Sequence, residues 1–177
     1  MARTSESSAF FFAPFVSSTM RIEPAWIDYN GHLNMAYYHV LFDRAVDEAL
    51  SRIGLGEDYV RERKASTFTA ECHVQYRREV HLADAVRVTM QLIEFDQKRM
   101  HVYMELRHAT EFWLSATSEN MMLHIDLTER KVAPFPPDIL ASLAIMKAAH
   151  SGLPRPEALG SVIGIPARAL AAKPGVH

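Results

Sequence analysis

The feature that most constrains this chain is a change of hydrophobic period near residue 65. Before it, Met35, Tyr38, Phe42, Ala45, Ala49 and Ile53 recur at intervals of three and four, the apolar stripe of one long helix. After it the period is two. Phe68, Ala70, Cys72, Val74, Tyr76 and Val80 alternate with Thr69, Glu71, His73, Gln75 and Glu79. Val86, Val88, Met90 and Leu92 alternate in the same way, as do Met100, Val102, Met104 and Leu106, and the polar turn Asp96-Gln97-Lys98-Arg99 joins these two runs as a hairpin. One long helix followed by several long alternating strands predicts an α+β fold, with an antiparallel sheet wrapped around the helix. Such a sheet leaves edges and one face to cover, which predicts a homodimer or homotetramer.

The flanking sequence sets the limits of these elements. Asn34 stands at the N-cap position of the helix and Gly54 where it stops, so the helix is a rod of about 28 Å. Phe10 to Ile22 reads as a first strand, and residues 54 to 66 as a charged connection. In the fourth long strand, Phe112 to Asp126, the apolar residues Phe112, Leu114 and Ala116 are even-numbered, whereas Met121, Leu123 and Ile125 are odd-numbered. A strand changes face only through an extra residue, which predicts a β-bulge between Thr117 and Asn120, with Glu119 inside it. Pro136, Pro137 and Asp138 open a short helix with Ile139, Leu143 and Met146 inward, and Gly152 closes it. The expected organisation is a flexible N-terminus over residues 1–14, one domain over 15–150, and a Pro- and Gly-rich extended arm over 151–177.

Composition excludes several classes of function. The 177 residues carry 19 basic and 21 acidic side chains, so there is no electrostatic footprint for a nucleic-acid partner. The one cysteine, Cys72, allows neither an intramolecular disulfide nor a cysteine-based metal cage. Its place in the strand alternation reads as an inert core position. The apolar run from Ala9 to Val16 is broken by Pro14. It is far short of the roughly 20 residues that span a bilayer, and it lacks the pattern of a signal peptide. A cytoplasmic protein with no membrane contact is expected.

The densest polar cluster is Asp28-Tyr29-Asn30-Gly31-His32-Leu33-Asn34, which opens onto the start of the long helix. Free N–H groups and partial positive charge at a helix N-terminus could hold an oxyanion. Asp28 beside it could be a base or nucleophile. The same residues also suit a purely structural turn, with Asp28 and Asn30 forming an Asx-turn, Gly31 taking φ > 0 and His32 packing.

The run from Trp26 to Tyr38 resembles the D-x-x-G-H-x-N-x-x-x-Y signature of hotdog-fold acyl-CoA thioesterases of the 4-hydroxybenzoyl-CoA thioesterase type. A second stretch, Ala116 to Asp126, is similar to a strand of the betainyl-CoA thioesterases associated with carnitine dehydrogenase. A second Asn that the family often carries after the one matching Asn34 is Met35 in this chain. The resemblance implies a hotdog fold, an acyl-CoA substrate and no cofactor or metal. It makes Asp28 the base or nucleophile, with His32 and Asn34 organising loop and water. Backbone N–H groups near Met35 and Ala36 would bind the carbonyl oxygen. Tyr29, Gly31 and Tyr37 would lie against the substrate, and Glu119 would reach the partner's loop in a dimer.

Other readings remain open at this stage. The aromatic residues Trp26, Tyr29, Tyr37, Tyr38 and Trp113 could build a cation–π box for a quaternary ammonium, or simply pack in the core. The CoA phosphates have Arg77, Arg78, Lys98, Arg99, Arg130 and Lys131 as candidate partners. His39 and Asp43 sit one turn apart on the long helix and read as a surface hydrogen bond rather than a metal site. A hotdog-fold enoyl-CoA hydratase and a non-catalytic acyl-ligand binding protein are the competing functions.

Overall fold

The computed structural model describes residues 13–165. Its seven described strands form one antiparallel sheet. The main path runs β1 (Phe15–Val16), β4 (Ala85–Phe95), β5 (Arg99–His108), β6 (Leu114–Asp126), β3 (Ala65–Tyr76). Two short strands complete the sheet: β2 (Met20–Arg21) pairs with β4, and β7 (Lys131–Val132) with β6. Three helices accompany it: α1 (Met35–Arg52), α2 (Glu57–Arg63) and α3 (Pro137–His150).

The α1 stripe is buried as its period predicts. Tyr38, Leu41, Phe42, Ala45, Val46, Ala49 and Leu50 share one core with Val86, Val88, Met90 and Leu92 of β4 and with Met100, Val102, Met104 and Leu106 of β5. Each large aliphatic side chain fully buried there is worth about 1.5–3 kcal/mol. The sheet therefore curves over α1, each element covering apolar surface of the other. Ile139, Leu143 and Met146 seal the core from α3.

Three expectations need correction. The first concerns Phe10 to Ile22, of which residues 10–12 lie outside the described residues. The rest is two short strands, not one. Between them Ser17 interrupts the ladder: its N–H donates to the Val88 carbonyl at 2.9 Å, while its hydroxyl accepts the Val88 N–H at 3.0 Å. A side-chain oxygen here does the work of a strand carbonyl.

The second concerns residues 54–66, which contain α2 rather than an open connection. This helix is too short to show a period, and only Tyr59 is buried on it.

The third concerns the face change. It lies in β3 rather than β6. Thr69 opposes Met122 and Glu71 opposes Met121, so Ala70 is the extra residue. In β6 the even-numbered residues Ala116, Ser118, Asn120, Met122 and His124 stay buried throughout, with no shift between Thr117 and Asn120. The sequence pattern misleads because part of the buried face of β6 is polar. Ser118 donates to Asn120 Oδ1 at 2.8 Å, so the two polar side chains satisfy each other inside. Met121, Leu123 and Ile125 take the half-buried opposite face. The same bulge leaves Phe68 60% exposed. Cys72, expected in the core, is also exposed, because β3 is the last strand of the sheet in the protomer.

The described part of the C-terminal segment, residues 151–165, contains no helix or strand. It lies against the sheet face opposite α1. Leu153 to Glu157 sit beside Thr89, Gln91, Tyr103 and Glu105, and the Gly160 N–H donates to Glu119 Oε2 at 2.7 Å.

Candidate active site

The loop from Asp28 to Asn34 is a tight reversal held by its own backbone. The Asp28 N–H donates to the His32 carbonyl at 2.9 Å, and the Gly31 N–H to the Asp28 carbonyl at 3.0 Å. Gly31 takes φ +82°, a left-handed conformation that costs a side-chain-bearing residue more. The Asx-turn forms as well, with the Asn30 N–H donating to Asp28 Oδ1 at 2.8 Å. The Asx-turn and the left-handed Gly31 of the structural reading are therefore realised, and they leave Asp28 Oδ2 available.

Two longer-range bonds fix the loop to the body. The Asn34 N–H donates to the Trp26 carbonyl at 2.9 Å, and the Leu33 N–H to the Val80 carbonyl at 2.8 Å. Leu33 and Val80 are buried, so the loop is anchored in the core at one end and half-exposed at Asp28 and His32. His32 turns outward, with its Nε2 3.2 Å from Glu79 Oε2 and its ring edge-on to His81.

At the helix entrance Asn34 is the N-cap, and its Oδ1 accepts the Ala36 N–H at 3.0 Å. The Ala36 N–H, expected as an oxyanion donor, is engaged by this cap in the structure. The Met35 N–H has no partner among the described residues and is the donor left facing outward.

The other expected site residues separate. Tyr37 stacks on Trp26 with ring centroids 5.3 Å apart, and the Arg44 guanidinium lies 4.9 Å from the Trp26 ring. Trp113 is held between His108 and Arg78. Tyr38 is buried edge-on to Tyr76, and burial pushes its phenol pKa up. Tyr29 is 97% exposed. The five aromatic rings thus form no box within the protomer. Glu119 lies on the sheet face away from α1, paired with His101 at 2.8 Å and with the Gly160 N–H. None of these neighbours belongs to the loop.

Sequence reasoning missed a cavity of about 300 Å³ between α1 and the β3–β6 pair. His39, Phe42 and Asp43 line its helix side, and Thr69, Cys72, Ser118 and Asn120 its sheet side. The i, i+4 spacing of His39 and Asp43 was the available signal. The α1 face there is acidic: one turn on, Asp47 is held above the usual carboxylate range by burial first and then by the Asp43 charge.

Residues 22–143 match the thioesterase-like superfamily. This chain belongs to that superfamily. Its chemistry is the hydrolysis of an acyl-CoA thioester, and the sheet curved around α1 is the hotdog fold. A betainyl-CoA thioesterase from Pseudomonas aeruginosa is 39% identical over 81% of the chain and 90% of its own length. An L-carnitine dehydrogenase/betainyl-CoA thioesterase from Rhizobium meliloti is 35% identical over 81% of the chain, which spans 29% of that longer protein. Among solved structures, a Staphylococcus aureus protein in complex with CoA superposes with a TM-score of 0.81 at 29% identity, covering 90% of this chain and all of that one. A putative thioesterase from Pseudomonas putida superposes with a TM-score of 0.77 at 34% identity, covering 88% of this chain and 99% of that one.

Proposed function

We propose that this thioesterase hydrolyses betainyl-CoA to glycine betaine and CoA, as a cytoplasmic homo-oligomer, with Asp28 as its base or nucleophile. The observation that carries the substrate is the Asp43 carboxylate beside Phe42 on the α1 wall of the cavity. A trimethylammonium accepts no hydrogen bond and donates none, so a carboxylate and an aromatic face are what can recognise it. The relationship to betainyl-CoA thioesterases supports the same reading, and the fused relatives support a place beside carnitine oxidation.

In this reading the thioester carbonyl oxygen accepts the Met35 N–H at the positive end of α1. Asp28 Oδ2 takes the proton of a water that attacks the carbonyl carbon, or attacks it directly. Collapse of the tetrahedral adduct breaks the C–S bond, and the CoA thiolate leaves and takes up a proton; where Asp28 itself has attacked, water then hydrolyses the resulting acyl anhydride, releasing the acid and restoring the carboxylate. Asn34 holds the helix entrance, while Gly31 and His32 shape the loop around Asp28. Arg77 and Arg78, which precede the Glu79–His81 segment tied to the loop through Val80, are the proposed partners of the CoA phosphates. Glu119 contributes only through a partner subunit.

The test compares betainyl-CoA with 3,3-dimethylbutyryl-CoA, its neutral isostere. A carboxylate about 5 Å from a quaternary ammonium attracts it by about 3 kcal/mol at an effective dielectric near 20. If half survives desolvation, kcat/KM favours the cation roughly tenfold. Asp43→Asn is expected to erase that preference. Equal kcat/KM for the two thioesters in the unaltered protein would overturn the substrate assignment. Hydration of a crotonyl thioester without thiol release, or saturable acyl-CoA binding with no turnover, would overturn hydrolysis itself.

A further inference from the structure

Three side chains with no assigned role in binding the acyl group converge beside the loop. The hydrogen bond from the Leu33 N–H to the Val80 carbonyl lays two extended segments against each other. Leu33 and Val80 point into the core. Their chain neighbours His32, Glu79 and His81 therefore project together on the solvent side. One ligand atom from each lies within 4.8 Å of the others.

We propose that His32, Glu79 and His81 form a binding site for a divalent transition ion, with Zn²⁺ the best fit. Two imidazoles and one carboxylate are a donor set that Zn²⁺ accepts and that Mg²⁺ and Ca²⁺, which require oxygen donors, do not. Metal–ligand distances of about 2.0–2.1 Å place tetrahedral ligand atoms roughly 3.3 Å apart. His32 Nε2 and Glu79 Oε2 already stand at 3.2 Å. His81 closes the set by a side-chain rotation, which costs little because its side chain is 56% exposed.

The surroundings supply what a ligating histidine needs on its other nitrogen. His81 Nδ1 faces Asp84 Oδ2 at 3.7 Å, and that carboxylate oxygen is held in place by the His81 N–H at 2.8 Å. A carboxylate behind the ring fixes the tautomer and leaves Nε2 to the metal. The fourth position is open to water. Because His32 belongs to the loop that carries Asp28, an ion bound there pins its Nε2 in the outward position beside Glu79 and restrains the loop, and thioester hydrolysis falls. This consequence rests on the proposed role of the loop; the binding itself does not.

The test uses the untagged full chain and titration calorimetry without substrate, so an inactive enzyme cannot mask the result. Zn²⁺ is expected to bind at one equivalent per chain and to raise the melting temperature, and Mg²⁺ to do neither. His81→Ala and Glu79→Gln, both at exposed positions outside the catalytic set, are each expected to weaken Zn²⁺ binding roughly tenfold or more. Both variants keep basal thioesterase activity and lose its inhibition by Zn²⁺. No saturable Zn²⁺ binding, or binding that both variants leave unchanged, would overturn the site. Unaltered turnover in the Zn²⁺-loaded protein would overturn the coupling to His32 and leave the assignment of Asp28 untouched.

Discussion

Asp28→Asn separates the turn bond that Asp28 makes from the catalytic role proposed for it. One carboxylate oxygen is structural, accepting the Asn30 N–H at 2.8 Å. The other is the candidate base or nucleophile. An asparagine keeps the first, because its amide oxygen accepts the same N–H in the same turn. A hydrogen bond of this kind is worth about 1 kcal/mol net, so its retention predicts a stability change within about 0.5 kcal/mol. The chemistry is lost, since an amide neither takes a proton nor attacks a carbonyl at neutral pH. Loss of a general base or nucleophile costs roughly 10²-fold or more, which is about 2.7 kcal/mol of transition-state stabilisation. Asp28→Ala removes both functions and is expected to lose the same activity plus about 1 kcal/mol of stability. The assay is thiol release from an acyl-CoA with a chromogenic disulfide, alongside a urea unfolding curve for each variant. A folded Asp28→Asn protein with turnover within threefold of the unaltered chain would refute the role of the carboxylate. An equal loss of stability in both variants would refute the turn argument.

Two other outcomes are expected. The long β3 edge, with Phe68 60% exposed, needs a partner strand. Sedimentation should show a homo-oligomer at micromolar concentration, and a single species of 20.0 kDa would contradict this. The hydrogen bonds from Arg63 to Asp138, at 2.9 and 2.5 Å, hold that carboxyl below the usual carboxylate range. Its contribution is present above the unfolded value near 3.9 and is lost as pH falls through the lower folded value. Asp138→Asn should therefore cost no more than about 1 kcal/mol at pH 7, both partners being substantially exposed. Unfolding curves should show the difference fading as pH drops below about 4; a deficit unchanged at low pH would refute this account.

The long helix, the hairpin and the polar loop were legible because each rests on local physics. The α1 stripe needs only a period, the β4–β5 turn only its polar residues, and the Asp28 loop only the φ freedom of Gly31 and the capping chemistry of Asn34. The fourth long strand was misread for a physical reason. Periodicity equates apolar with inside, and in β6 the buried positions include Ser118 and Asn120, which satisfy each other. The bulge at Ala70 could not be located because an extra residue shows only against the strand it faces. The short α2 carried too few residues to reveal a pattern.

The sequence by itself determined that one amphipathic helix must be covered by a curved antiparallel sheet, and that a carboxylate must sit beside the N-terminus of that helix. Both follow from residues close together in the chain. Only the tertiary structure decided what the loop packs against. It alone brought Asp43 of α1 to a cavity shared with Asn120 of β6, and His32 to within 3.2 Å of Glu79. These contacts join segments roughly 50 to 80 residues apart, through one loop hydrogen bond and one shared core. No local pattern encodes such a separation, because it is set by how the sheet curves over the helix.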